Sequence, residues 1–586
     1  MQAQRDASVL QKAMSQDTCS KRDLDAENAF RDRVKRRIVT NRLSATEVHK
    51  DFAAATAAGA RGSTDLLMTQ PGSHSRRDLL NKVLRDSEWS GLYWAQIPVK
   101  DLKSKGSKLI WCPFLLPHEW LPLYCKQKGA DLDLQSKLEP ELAERMAKLK
   151  AELKADFLVG LGLHGDGVPI NGTMNEDSLD VFNLNMVTSL EHAALRIPFV
   201  CMQQKHQQPK ETFDAIVAIL CWSLRCLASG LKPQSRHDGS AWLPSDKHRA
   251  APVSPAKGAA SADDEKLGVQ AVLVELRADW VFFNKLLKFP QWNQHDGLCW
   301  RCTCTFANIR TLDTASAHWR FERLKPGDFL AWCRRQGKPV SELFSLPGVD
   351  ADIVFPDWMH SADMGVGPDV IAHVFVECLP YFEGSNKEER CKKLWEFIQQ
   401  FYQQRQVEHS FRMQTFRLED FERKGQPNKF RGKAAFTRPL VAMLPMLCRA
   451  VLPDTDWCKG VSSVAVALAS CYDLMKNAPS PELAHASQQF ANAYCACKLH
   501  VEGNDPNSLH WHVKPKLHLF QELCEYSRRN PRDFWCYRDE TFGNVMALFA
   551  VRRGGADNPG TNCMHVLQAW CCEEPLPRPR MARMQL

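Results

Sequence analysis

The chain has 586 residues, of which 44% are hydrophobic and 25% are charged. These fractions are ordinary for globular proteins and exclude a chain too polar to bury a core. The net charge of +8, from 76 basic and 68 acidic residues, is compatible with nucleic-acid binding but does not by itself indicate it.

The beginning of the chain, MQAQRDASVLQKAMSQDTCSKRD, lacks the apolar stretch of a signal peptide. We also find no apolar run long enough to span a membrane. We therefore expect an intracellular protein without membrane contacts. In that setting most of the 22 cysteines are expected to be reduced thiols or metal ligands rather than disulfides.

Residues 1–75 are predicted to be weakly ordered apart from one helical stretch, which carries Lys35, Arg36 and Arg37. These basic residues fit a nuclear-import or phosphate-contacting patch, or else the solvated face of a charged helix. Residues 76–157 are predicted to form a mostly helical N-terminal domain. Its clearest helix is EPELAERMAKLKAELKADF, with apolar residues at helical spacing and with Glu and Lys on the other face.

Residues 158–370 are predicted to contain the first part of an α/β core. The apolar segments DFLVGLGLHGDG, SLDVFNLNMVTS and LRIPFVCMQQKH predict three strands, and ETFDAIVAILCWSLRCLASGL predicts a long helix. A Ser-, Ala- and Pro-rich stretch at 233–268 indicates a surface insertion or linker, and VQAVLVELRADW then supplies a fourth strand. This order matches the start of an RNase H-like fold, a mixed sheet flanked by helices.

The remainder of the chain is predicted to be mostly helical. Residues 371–510, which include SSVAVALASCYDLMKNA, are expected to form a large helical insertion. Residues 511–572 are expected to return to the core, and residues 573–586 to form a frayed tail.

Two predicted strands each end at an acidic residue, Asp166 and Asp279. Adjacent strand ends bring such carboxylates side by side, and a divalent cation relieves their repulsion. Oxygen ligands suit Mg²⁺ or Mn²⁺, and a pair of these ions promotes phosphodiester cleavage. The simpler interpretation of HGDG, in which His164 precedes the aspartate, is a turn, because Asp and Gly are turn formers.

A third carboxylate usually completes a site of this kind. Asp539 and Glu540 stand at the start of a predicted helix, where the helix dipole favours negative charge. Helix capping is the alternative role for this pair.

The segment CWRCTC places Cys299, Cys302 and Cys304 together. A Cys-x-x-Cys pair suits tetrahedral zinc but supplies only half of a site. Cys304, His295 or a distant residue would have to complete it. The alternative is a set of plain buried thiols, and a redox pair is less favoured because no thioredoxin-type helix follows.

Two further groups have the residue types of a functional site. Asp357 and His360, in DWMHSADMG, share a helix face and form either part of the site or a structural hydrogen bond. Lys514, Lys516 and His518 precede the late acidic pair and are predicted to contact phosphate, or else to lie at an ordinary surface.

Together and in this order, HGDGVPING, RADWVFFNKLLKFPQWNQHDGLCWRC, DWMHSADMG and the late acidic pair resemble the transposases of CACTA (En/Spm-type) DNA transposons. The resemblance extends to the related Kyakuja–Dileera–Zisupton group of eukaryotic cut-and-paste elements. It covers roughly residues 155–555 and implies an RNase H-like DDE/D core that a helical insertion interrupts.

The resemblance also implies roles for individual residues. Asp166 resembles the first metal-binding acid, Asp279 the second and Glu540 the third, while DWMH resembles the Asp-x-x-His motif of the family. The chain departs from the pattern at Phe436, where an earlier third acid is absent, and it has no clear N-terminal zinc finger.

The implied function is metal-dependent cleavage of DNA at transposon ends and strand transfer into target DNA, with two Mg²⁺ or Mn²⁺ ions. DNA is then the expected partner, the nucleus the expected location, and homo-oligomers the expected working form. The alternatives are a catalytically inactive, transposase-derived nucleic-acid-binding protein, another RNase H-like nuclease, and an intracellular scaffold.

Overall fold

The fold is taken from a computed structural model. The residues that it describes are 45–57, 91–128, 138–170, 177–189, 194–208, 210–250, 265–289, 299–305, 308–309, 319, 322–477, 480–527, 529–552 and 558–573. The basic patch at residues 35–37, His295, residues 251–264 of the predicted insertion at 233–268, and the tail beyond residue 573 lie outside the described residues.

The N-terminal part combines helices with a two-stranded antiparallel sheet, whereas the sequence analysis predicted mostly helix. Its elements are α1 (Ala45–Ala57), β1 (Tyr93–Lys100), β2 (Ser107–Phe114), α2 (Pro117–Lys128) and α3 (Pro140–Leu153). Alternate residues of β1, from Tyr93 to Val99, are buried. β1 thus has the period of two that a sheet with one buried face requires, whereas β2 is exposed in its first half and buried in its last three residues.

Five strands form the central sheet. They are β3 (Leu158–Pro169), β4 (Ser178–Met186), β5 (Ile197–Gln203), β6 (Gln270–Ala278) and β7 (Val354–Pro356). Their order is β5-β4-β3-β6-β7, in which β3, β4 and β5 pair antiparallel while β6 and β7 run parallel to β3. The predicted α/β class and the mixed sheet flanked by helices are confirmed, and β7 is an additional strand.

The remaining elements are helical. They are α4 (Glu211–Ser229), α5 (Trp280–Leu287), α6 (Pro326–Arg335), a π-helix (Met359–Val366), α7 (Gly367–Cys378), α8 (Lys387–Gln404), α9 (Ala434–Val451), α10 (Asp456–Leu474), α11 (Pro481–Asn504), α12 (Pro515–Glu525), α13 (Pro531–Phe534), α14 (Tyr537–Arg552) and α15 (Pro559–Glu573).

Two apolar cores meet at the edge strand β7. One core is built on the sheet, on α4 and on α15, and it contains Val354. The other fills the space among α7–α12, and it contains Phe355. Because neighbouring residues of one short strand belong to different cores, β7 lies at the boundary between the sheet and the helical region.

Two helices are long and apolar enough to match a membrane span by composition, although we expected none. In α4, 67% of the most apolar window is buried inside the protein, and in α9 the share is 39%. The burial of α4 is typical of a core helix, and α4 supplies a large part of the apolar core under the sheet. One side of α9 packs into the second apolar core, through residues that include Leu440 and Leu444.

Helix α5 packs directly on β3 at Gly165. A Cβ atom at this position would lie 1.8 Å from Cζ of Phe282, whose ring packs against Phe182 and Phe213. The aromatic neighbours leave the ring no space to move, so this contact requires glycine.

We therefore expect Gly165→Ala to destabilise the protein by about 1–3 kcal/mol, because the added methyl group overpacks the core. Thermal unfolding measures the effect. Gly503→Ala is the matched control, since a Cβ atom there meets no atom within 4 Å and lies in a helix. Equal melting temperatures for the two variants would contradict the close approach.

Candidate active site

One face of the central sheet is polar although it is buried. His164 and Asp166 are two positions apart on β3. Glu275 and Arg277 are likewise two positions apart on β6, and Asp279 follows two positions later. Residues two apart on a strand share a face, and His164 pairs with Arg277 in the register. All these side chains therefore project from the same side of the sheet.

The two predicted acids lie at the same edge of this face. Gly165 pairs with Ala278, so Asp166 and Asp279 are the next residues on the two parallel strands. β6 ends there, and Asp279 caps α5 by accepting the backbone N–H of Phe282 at 2.6 Å. Asp166 does not end its strand, contrary to our expectation, because β3 continues along β4 as far as Pro169.

Glu540, at the start of α14, reaches Asp166 from the far end of the chain. Atoms of Asp166, Glu540 and His360 all lie within 4.8 Å of one another, and Glu540 Oε1 is 3.8 Å from His360 Nε2. Oε1 is buried and has no hydrogen-bond partner among the described residues. Asp279 is not one of these three, but its carboxyl group interacts electrostatically with Asp166 and His360. We call Asp166, Asp279, His360 and Glu540 the acidic cluster.

The carboxyl groups of the acidic cluster resist simultaneous ionisation. Burial raises the pKa of Glu540 to about 9, and the hydrogen bond and charge of Asp166 act in the same direction. Burial also raises the pKa of Asp279; Asp166 adds to this effect and His360 opposes it. Positive charge between these groups would relieve the repulsion.

The Asp-x-x-His pair supplies part of that positive charge. Asp357 Oδ2 lies 2.7 Å from His360 Nδ1, and Asp357 Oδ1 accepts the backbone N–H of Cys536 at 2.8 Å. Burial alone would lower the pKa of His360, but Asp357, Asp166 and Glu540 raise it to about 9. The pair is thus a structural hydrogen bond that also orients a cationic ring toward the acids.

Asp539, which precedes Glu540, faces a different set of partners. Arg196 Nε donates to its Oδ1 at 2.5 Å, Arg277 donates to the same oxygen at 3.3 Å, and His164 Nδ1 is 3.9 Å away. Burial alone would raise the pKa of Asp539, but the guanidinium groups of Arg277 and Arg196 hold that pKa well below its usual range. Asp539 therefore anchors α14. We had not predicted either of its arginine partners from the sequence.

The Cys-x-x-Cys pair lies beside two residues that we had not assigned to it from the sequence. Cys299 and Cys302 lie with His518 and Glu522, all four buried and with ligand atoms within 4.8 Å of one another. Cys304 is outside this group, and its thiol donates to the carbonyl of Thr305 at 3.8 Å.

This placement changes the interpretation of His518. We expected it to contact phosphate or to lie at an ordinary surface, but it is buried and its Nε2 lies 3.4 Å from Cys302 Sγ. The two lysines of the same segment are paired within the protein: Lys514 with Asp369 at 2.7 Å, and Lys516 with the carbonyl of Met364 at 3.2 Å. Their contact with phosphate stays a prediction.

No protein-family model matches the chain, and a comparison with curated proteins finds no match. The resemblance to transposases therefore stays a prediction. The function must be inferred from the geometry of the acidic cluster.

We expect Asp539→Asn to destabilise the protein far more than the neighbouring substitution Glu540→Gln. The first removes the carboxylate that two buried guanidinium groups share, and breaking a buried ion pair costs about 3–5 kcal/mol. The second removes only a carboxyl group that is already difficult to ionise. Thermal unfolding in the presence of a chelator distinguishes them, and similar losses would contradict the different roles.

Without metal, the protein should lose stability as the pH rises from 6.5, the ordinary pKa of His360, to about 9, the pKa of His360 in the folded protein. The raised pKa of Glu540 acts in the same direction from 4.5 upward, because the folded protein holds more protons than the unfolded chain. Glu540→Gln should make the pH profile of the melting temperature shallower. A wild-type profile as shallow as that of the variant would contradict these shifts.

Proposed function

We propose that the chain is a DDE-type, transposase-like protein that cleaves DNA phosphodiesters and transfers strands with divalent ions bound at the acidic cluster. One observation carries the proposal. Asp166 and Asp279 each come directly after a residue that pairs with the other of two parallel strands. α14 brings a carboxyl oxygen of Glu540 within 4.8 Å of one of Asp166. DNA as the partner, a nuclear location and a multimeric working form follow from this function.

The order of the strands supports the same function. Three antiparallel strands followed by two parallel ones, in the order β5-β4-β3-β6-β7, agree with an RNase H-like fold. The third acid arrives after the helical region, so we assign residues 371–510 to an insertion in that fold. This arrangement agrees with the DDE core that the resemblance to CACTA transposases implies.

The residues of the cluster fit Mg²⁺ or Mn²⁺. Asp166, Asp279 and Glu540 offer hard oxygen ligands, and the buried Oε1 of Glu540 has no hydrogen-bond partner among the described residues. When bound, two ions would supply an activated water or 3′-hydroxyl and stabilise the leaving oxygen. Asp166, Asp279 and Glu540 are the residues that would hold the ions.

The surrounding residues set the charge and the proton balance of the site. Asp357 orients the ring of His360 so that Nε2 points toward Glu540, and at neutral pH this nitrogen carries a proton. Lys516 lies within electrostatic reach of Asp279. Its positive charge, beside the acids, would meet a DNA phosphate, and such binding weakens as the salt concentration rises.

A catalytically inactive, DNA-binding protein is the second candidate, and His360 is the observation that favours it. Its cationic ring lies within 4.8 Å of Asp166 and Glu540 and balances part of their charge without an ion. The two candidates differ in whether the cluster performs metal-dependent chemistry.

We expect Asp166→Asn and Asp279→Asn each to reduce Mg²⁺- or Mn²⁺-dependent nicking of supercoiled plasmid by at least about a hundredfold, because each removes a metal ligand. DNA binding, measured by fluorescence anisotropy at several salt concentrations, should be unchanged. Asp156→Asn is the matched control, since Asp156 is exposed just before β3.

The outcomes separate the candidates. Nicking that persists in both variants would overturn the assignment of the acids. Wild-type protein that binds DNA but does not nick it with either metal would favour the inactive protein.

A further inference from the structure

We infer that Cys299, Cys302, His518 and Glu522 bind one zinc ion. The side chains of all four are buried, and their ligand atoms lie within 4.8 Å of one another. Tetrahedral zinc, with bonds of about 2.0–2.3 Å, separates its ligands by roughly 3.2–3.8 Å. His518 Nε2 lies 3.4 Å from Cys302 Sγ and 3.5 Å from Glu522 Oε1, which matches this spacing.

The backbone around the two cysteines is already arranged for thiolates. The N–H of Arg301 donates to Cys299 Sγ at 3.3 Å, and the N–H of Cys304 donates to Cys302 Sγ at 3.4 Å. Hydrogen bonds to an ionised acceptor are stronger than bonds to a neutral one. Zinc would displace one proton from each thiol to solvent, without a change in oxidation state.

The charges at the site balance when zinc is present. Two thiolates and the carboxylate of Glu522 exceed the charge of Zn²⁺ by one negative unit. Arg323 compensates for it, since its guanidinium donates to both oxygens of Glu522, at 2.6 and 2.7 Å. A carboxylate has about four lone-pair sites, so Arg323 leaves one free on each oxygen, and either can bind the metal. The edge of Trp319 packs against His518 and holds its ring in place.

The zinc ion would join distant parts of the chain. Cys302 and His518 are 216 positions apart, the cysteines following α5 and the histidine lying on α12. The intervening Trp300 and Arg301 donate to the carbonyl of Val354 in β7. The site thus clamps the helical region to the sheet, and this role does not depend on phosphodiester chemistry at the acidic cluster.

The metal content of the full-length protein tests the inference. Wild-type protein from zinc-supplemented medium should retain about one zinc ion per chain after dialysis, since the four ligands close a structural site. Cys302→Ser should lose it. Cys304→Ser is the matched control, because its thiol lies two residues away and outside the group. Asp166→Ala should also keep its zinc, which separates this site from the acidic cluster.

Cobalt replacement provides a second readout. With Co²⁺ the wild type and Cys304→Ser should show the visible bands of a tetrahedral ion and the near-ultraviolet bands of sulfur ligation. Cys302→Ser should lack both. If that variant does not fold, the wild-type spectrum still decides.

Two results would overturn the inference. One is folded wild-type protein without zinc and without cobalt bands. The other is equal loss of zinc in Cys302→Ser and Cys304→Ser.

Discussion

The ion pairs between Asp539 and the two arginines Arg196 and Arg277 determine where the last part of the chain meets the sheet. All three groups are buried, and the loss of one partner of a buried ion pair is strongly destabilising. Since Asp539 lies on α14, its pairing fixes the position and the rotation of that helix. Glu540 is one residue further and about 100° around the helix, so it points to Asp166. The buried ion pairs of Asp539 thus determine the position of the carboxyl group of Glu540.

Asp357 has a comparable position on the other side of the cluster. One oxygen accepts the N–H of Cys536 just before α14, and the other orients His360 at the start of the π-helix. π-Helical turns are often found at functional sites, because they displace a side chain from the regular helical path. The buried carboxylate therefore couples the ring that faces the acids to the helix that carries the third acid.

The sequence predicted the four long strands of the sheet and both strand-associated acids, because long apolar runs give a clear signal. It did not predict β7, whose three residues are too short for a periodic pattern. The polar face was also missed, although Glu275, Arg277 and Asp279 recur at a spacing of two. The residues between them are apolar and are buried as well, so the strand resembles a continuous apolar run and the alternation is concealed. The pairing of His518 with Cys302 spans the helical region, and no local pattern encodes such a contact.

Both candidate metal sites depend on the same docking event. The acidic cluster joins β3 and the π-helix to α14, and the cysteine cluster joins the segment after α5 to α12. Each therefore brings together residues that are far apart in the chain, and each requires the closure of a loop longer than a hundred residues. The entropic cost of closure grows only slowly with loop length, so the helical region adds little to it. The fold requires that the two ends of the helical region lie close together. The apolar core of this region, which includes Phe355 of β7, holds them there.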